Sequence, residues 1–84
     1  MAEVPRVTMY TRTTCALCDE AREAILAIRA EAPFEYEEVF VDGREDLERT
    51  YGGRVPVVLV DGEEAFELHV DPGDLRALVR SRGA

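Results

Sequence analysis

The spacing of apolar residues changes period several times along this chain, and each change marks an element. Residues 6–11 (RVTMYT) alternate apolar with less apolar positions in a β-branched and aromatic composition, which predicts a central strand. From Cys15 the period becomes helical: Cys18, Ala21, Ile25 and Ile28 form one apolar stripe. Asp19, Glu20 and Glu23 lie early in this Ala-rich stretch and Arg29 late, as the helix dipole prefers. A long helix is therefore predicted over residues 15–32, with Thr13 and Thr14 as N-cap candidates and Pro33 as the stop. Residues 34–41 (FEYEEVFV) set Tyr36, Val39, Phe40 and Val41 among glutamates, the pattern of a strand with one wet face at a sheet edge.

The second half is built from shorter units. Asp42-Gly43 reads as a turn, with Asp42 as cap of a short helix over residues 44–51 whose Leu47 and Tyr51 share a face. Gly52-Gly53 ends that helix; the pair lacks the preceding strand and the G-x-G-x-x-G or Walker pattern that phosphate binding would need. Residues 57–60 (VVLV) are expected to be a strand buried on both faces, and Asp61-Gly62 is a hairpin signal. The returning strand, residues 65–70, would put Phe66, Leu68 and Val70 on one face and expose His69 on the other. Asp71 and Pro72 open a last helix with Leu75, Leu78 and Val79 as its apolar side and Gly83 as its end. The order is thus βαβ, α, ββα. Right-handed crossover makes the first two strands parallel, and the hairpin makes the last two antiparallel.

Length and charge narrow the function classes. With 84 residues the chain is expected to be one domain, residues 1–84, that folds without disulfide staples. Eighteen acidic against ten basic side chains give a net charge of −8, which argues against nucleic acid as a partner and weakly repels anionic small molecules. No apolar run approaches the roughly 20 residues that span a bilayer, and residues 1–5 show no leader pattern, so no membrane association, a cytoplasmic location and a monomeric state are expected.

Both cysteines lie in one stretch, YTRTTCALC, at C-x-x-C spacing. Cys15 falls at a predicted helix N-terminus, whose unpaired N–H groups favour a thiolate and could lower its pKa from about 8.5 to roughly 7 or below. A thiolate is a nucleophile. Cys18, one turn on, is placed to attack a mixed disulfide formed at Cys15, and a catalytic dithiol of this kind suits a reducing compartment. A structural zinc site needs four ligands, and two cysteines with His69 do not supply them, so no metal is expected. Burial explains Cys18, a member of the apolar stripe, better than it explains Cys15. Of the arginines, Arg12 and Arg54 are the ones expected near Cys15. His69 has no partner acid placed by the sequence, and the thiol chemistry does not require it.

These features together resemble a glutaredoxin-like protein of the thioredoxin-fold family over nearly the whole chain. The resemblance is carried by the strand-loop-helix YTRTTCALC, with basic Arg12 three positions before the first cysteine, by Val55-Pro56 ahead of an apolar strand, and by the hairpin that follows. It implies an α/β thioredoxin-like fold of glutaredoxin type, a four-stranded mixed sheet in order 2-1-3-4 with helices on both faces. It also implies a thiol–disulfide oxidoreductase in which Cys15 attacks and Cys18 resolves. Arg12 would then support the thiolate, Thr13 would shape the loop, and the backbone of Val55, turned by a cis Pro56, would pair with an extended substrate segment. No permanently bound cofactor is implied; disulfide-containing proteins are the expected substrates, and glutathione or thioredoxin reductase the expected electron donor.

The chain also departs from the family. Ala16 and Leu17 stand where glutaredoxins usually carry Pro and an aromatic residue. Val70-Asp71-Pro72-Gly73-Asp74 stands in place of the Gly-Gly-x-Asp stretch that holds glutathione, leaving Arg54 and Asp74 as the candidate contacts to glutathione or a partner. The competing class is a non-enzymatic thioredoxin-fold module that carries a partner, a metal or an iron–sulfur centre.

Overall fold

The computed structural model describes residues 4–83. Four strands and three helices follow in the order β1 (Arg6–Thr11), α1 (Ala16–Arg29), β2 (Glu35–Phe40), α2 (Glu45–Tyr51), β3 (Val57–Val60), β4 (Glu63–Glu67) and α3 (Pro72–Gly83). The strands form one mixed sheet in the order β2-β1-β3-β4. β1 runs parallel to β2, from Arg6 opposite Glu35 to Thr11 opposite Phe40, and antiparallel to β3, with Val7 opposite Val60 and Tyr10 opposite Val57. The expected order, directions and mixed character of the sheet are all found.

Burial follows the sequence period. Val7, Met9 and Thr11, alternate residues of β1, are wholly buried, and the α1 stripe Cys18, Ala21, Ile25 and Ile28 packs into the same core with Leu75 and Val79 of α3. At the surface Arg76 of α3 also reaches Glu31, just past the end of α1, at 3.1 Å. Tyr10 points to the opposite face of the sheet, where its ring stacks on Tyr51 of α2 at a centroid distance of 4.0 Å. Helices thus cover both faces, and β3, lying between them, has all four residues buried. Edge strand β2 is fastened to α1 by Arg22, whose guanidinium bonds both oxygens of Glu38 at 2.7 and 2.8 Å while the Tyr36 hydroxyl donates to the same carboxylate.

Several expected boundaries are corrected. α1 ends at Arg29, not residue 32: the N–H groups of Glu31 and Ala32 both fold back on the Ile28 carbonyl, and Ala32 and Phe34 turn into the core on the way to β2. Pro33 enforces this, since its ring disfavours helical backbone at Ala32. Asp42 does not cap α2, whose N-cap is Arg44 without a side-chain hydrogen bond; the Asp42 carboxylate instead accepts the Thr13 N–H at 2.9 Å. β4 covers residues 63–67 rather than 65–70, with a register shift opposite Val58 and Leu59. Its partner β3 begins at Val57, so pairing ends where the Leu68 N–H reaches the Pro56 carbonyl at 2.8 Å. Leu68 then enters the left-handed region at φ 69° and is exposed instead of joining Phe66 in the core. His69 is exposed as expected, but lies beyond the strand. The hairpin turn holds Asp61 and Gly62 at φ 52° and 84°, the primed geometry that a D-G pair favours.

Two outcomes test this packing. Ile25→Ala, at a fully buried position, should lower stability by about 3 kcal/mol in a urea titration. The Arg22 hydrogen bonds hold the Glu38 carboxyl below its usual pKa. A depressed folded-state pKa means that this contribution is complete above the unfolded value of about 4.3 and is lost as pH falls through the folded one. Glu38→Gln should therefore destabilise by about 1 kcal/mol at pH 7, and the difference from the parent chain should shrink on acidification below about pH 4.

Candidate active site

One end of the sheet gathers the pieces the chemistry requires. The C-terminal ends of β1 and β4, the N-terminal end of β3 and the starts of α1 and α3 all meet there, as the strand directions dictate. β1 delivers the chain into residues 12–14, and Cys15 follows with extended backbone, φ −156° and ψ 104°, as the N-cap of α1. This corrects the expectation that Thr13 or Thr14 caps the helix: the Cys15 Sγ accepts the Cys18 N–H at 3.1 Å, so the sulfur itself does what a cap hydroxyl would do. The Thr13 N–H is committed to Asp42, a bond that ties the loop to the β2–α2 connection.

Cys15 and Cys18 are joined as a disulfide, with Cα atoms 5.2 Å apart. The two sulfurs differ sharply in surroundings. Cys18 is 1% exposed and belongs to the hydrophobic core, whereas Cys15 is half-buried and packs on that core from outside. An attacking group from solvent meets Cys15 first. Val55 lies in the same buried cluster as Cys18, and its peptide bond to the buried Pro56 is cis. Among the described residues, the Val55 N–H and C=O have no hydrogen-bond partner within the chain. A backbone donor and acceptor beside a reactive pair can take an extended peptide.

The arginines are placed otherwise than expected. Arg12 is bound by both oxygens of Glu48, one at 3.0 Å, and its Nε and Nη2 donate to the Gly52 carbonyl at 3.3 and 3.0 Å. The Glu48 hydrogen bond raises its pKa and compensates its charge, so Arg12 is no free cation beside Cys15. Arg54 donates to Glu64 at 2.8 Å and to the Thr50 carbonyl at 2.9 Å, with its guanidinium over the Tyr51 ring. Asp74 lies in the first turn of α3, its N–H bonded to Asp71, and lines a groove of about 680 Å³ between β4 and α3 that neither cysteine reaches. The groups that do stand beside the Cys15 sulfur are the α1 terminus and the Cys18 N–H. Among the described residues, no group of three or more His, Cys, Asp or Glu side chains is placed to hold a metal ion.

One feature beside the cysteines escaped the sequence reading. Leu17, Glu20, Ala21, Leu68, His69 and Val70 line a small cavity of about 130 Å³ next to the redox loop. Alternation put Leu68 in the core, and nothing in its residue type signals the left-handed turn that brings it here.

With this geometry in view, residues 6–80 match the family described as Glutaredoxin-like domain (DUF836). The chain belongs to this family. An uncharacterized protein of Mycobacterium tuberculosis is 36% identical over 78 residues, covering 87% of this chain and 80% of that protein. Among solved structures, a protein from Nitrosomonas europaea superposes with a TM-score of 0.81 at 28% identity, covering 94% of this chain and 95% of the other. One from X. campestris reaches 0.72 at 37% identity, covering 89% and 96%. The fold extends to a mutant thioredoxin from Halobacterium salinarum, with a TM-score of 0.68 at 22% identity over 98% of this chain and 77% of that one. This glutaredoxin-like chain thus has the thioredoxin fold, and its close cysteine pair occupies the redox loop.

The Arg12 cradle yields a sharp expectation. A Cβ at Gly52 would stand 2.5 Å from the Glu48 carbonyl oxygen and 2.7 Å from Arg12 Nη2, inside van der Waals contact. Gly52→Ala should cost about 2 kcal/mol in chemical denaturation by forcing the pair apart, whereas Gly53→Ala, where a Cβ meets nothing within 4 Å, should cost under about 1 kcal/mol.

Proposed function

We propose that the protein is a thiol–disulfide oxidoreductase that reduces protein or small-molecule disulfides with the Cys15–Cys18 dithiol. The observation that carries this reading is the asymmetry of the pair: a half-buried Cys15 at the helix N-cap, three residues from a Cys18 that solvent barely touches. In the reduced protein the Cys15 thiolate attacks one sulfur of the substrate, the substrate S–S bond breaks, and the departing sulfur leaves as a thiolate. The Cys18 sulfur, having lost its proton, then attacks Cys15, releases the second substrate thiol and leaves the internal disulfide. Two electrons pass from the dithiol to the substrate.

The Val55 backbone holds the substrate segment during this exchange, and the loop bond from Thr13 to Asp42 keeps Cys15 in position. No bound cofactor is needed, because the two sulfurs carry the electrons. Glutathione or thioredoxin reductase restores the dithiol, and a monomer in the reducing cytoplasm is the working form. Arg54 and Asp74 contribute to donor contact only by approach of the partner to the flanks of the site, since the Arg54 guanidinium is held by Glu64 and Asp74 lines the groove between β4 and α3 away from the cysteines.

Alkylation of the reduced protein tests the reading. The rate for Cys15 should rise with a midpoint near pH 7 or below, against about 8.5 for an ordinary thiol, with Cys18→Ser identifying the reacting sulfur. That variant should also accumulate a stable mixed disulfide with substrate, visible by mass spectrometry. An ordinary midpoint, or full function in Cys18→Ser, would turn the assignment toward a non-enzymatic binding module.

A further inference from the structure

Arg12 precedes Cys15 by three residues, yet its guanidinium is committed to the end of α2. Both oxygens of Glu48 accept from it, and its Nε and Nη2 donate to the Gly52 carbonyl at 3.3 and 3.0 Å. Gly52 is fitted to this contact. Its backbone is right-handed helix, φ −53° and ψ −33°, which any residue with a side chain adopts, so conformation does not call for glycine there. Space does, because a Cβ would lie 2.7 Å from Arg12 Nη2. The carbonyl that Arg12 holds is separated only by Gly53 and Arg54 from Val55, whose N–H and C=O have no partner within the chain among the described residues. That short path is itself tied, since the Arg54 N–H closes a turn on the Tyr51 carbonyl at 2.8 Å.

Resting on the oxidoreductase reading above, we propose that Arg12 is a positioning residue for peptide substrates: it fastens residues 52–56 to the redox loop and so sets the Val55 backbone at the separation from Cys15 that an extended, disulfide-bearing segment requires. The neighbouring loop residue completes the attachment. The Thr13 N–H donates to Asp42 at 2.9 Å, so residues 12 and 13 bind the redox loop to the chain just before α2 and just after it. A planar guanidinium can serve a carboxylate and a carbonyl at once, a fork that an ammonium group does not reproduce. The same bonds compensate the charge of Arg12, which acts here through geometry and not as a cation on the sulfur. A second fastening, the stack of Tyr10 on Tyr51, keeps α2 on the sheet when the fork is lost. An extended peptide that bonds Val55 while presenting its sulfur to Cys15 senses any error in their separation. A small disulfide, which meets Cys15 alone, does not.

The test compares two substrates that share one leaving group: a short peptide whose single cysteine is blocked as a mixed disulfide with thiopyridine, and mercaptoethanol blocked in the same way. Reduced, desalted full-length protein reacts in a single turnover, so that its own dithiol is the only reductant. Attack by the Cys15 thiolate forms the Cys15–substrate S–S bond and expels the thiopyridine sulfur, which takes up a proton and is followed by absorbance. The parent should prefer the peptide by about tenfold, the range that two backbone hydrogen bonds supply. In Arg12→Lys and Arg12→Met alike that preference should fall at least about threefold, with the pH midpoint of Cys15 alkylation left at the parent value. Glu48→Ala, which removes an acceptor and leaves Arg12 its charge, should lower the preference in the same direction. A midpoint raised by about one unit in Arg12→Met and restored in Arg12→Lys would make Arg12 the cation of the thiolate and overturn the proposal. Equal parent rates for the two substrates, or an undiminished preference in any of these variants that folds, would also overturn it, and in all three cases the oxidoreductase reading stands. No release from either substrate by the parent would overturn both.

Discussion

Burial of one helical stripe underlies the rest of the molecule. Cys18, Ala21, Ile25 and Ile28 enter the core beside Val7 and Met9 of β1, each almost wholly removed from solvent, and this fixes both the rotation and the height of α1 on the sheet. Because Cys18 belongs to that stripe, its sulfur is a packing atom and a disulfide atom at once. The position of Cys15 follows. Three residues earlier and just outside the helix, it emerges where β1 ends, still against the core but open to approach. The unequal exposure of the pair is thus a consequence of helix packing and needs no separate device.

Electrostatics around the pair are set by compensation. The ten basic residues of this chain are all arginine, and they serve chiefly to bind the surplus of acids: Arg22 joins α1 to β2 through Glu38, Arg76 joins α3 to the end of α1 through Glu31, and Arg12 joins the redox loop to α2 through Glu48. Such forked, charge-assisted pairs are well suited to holding elements in register. Their cost to function is that little free positive charge remains beside Cys15. What stands next to the Cys15 sulfur instead is a set of oriented dipoles, the Cys18 N–H at 3.1 Å and the α1 terminus, which act at short range.

The likeness to thioredoxin at 22% identity shows how few side chains this architecture needs. A central strand covered on both faces, a helix that leaves it at the redox loop and a strand pair returning to the same end bring the cysteines, the cis Val55-Pro56 bond and the turn at Leu68 together. In this chain Leu17, within the cysteine spacing, and residues 68–70, after β4, border a small cavity beside the cysteines.

The elements, the sheet order and the cysteine pair were legible in the sequence because each rests on a local or periodic signal: alternation for β1, a helical stripe for α1, an unbroken apolar run for β3, and C-x-x-C spacing at a helix start. Capping and charge placement were not, because they depend on which group comes near from another element. Thr13 and Thr14 looked like caps, yet Asp42 took the Thr13 N–H and the Cys15 sulfur became the cap. Arg12 and Arg54 looked available to Cys15, yet Glu48 and Glu64, distant in sequence, held them. Leu68 fitted an alternating strand, but pairing stopped at Pro56 and the backbone turned over. The sequence by itself determined what is buried and which atoms can react, since those follow from side-chain chemistry and local period; only the tertiary structure decided which polar partner each charge meets and which side chains border the reactive sulfur, since those are contacts between segments that no local pattern encodes.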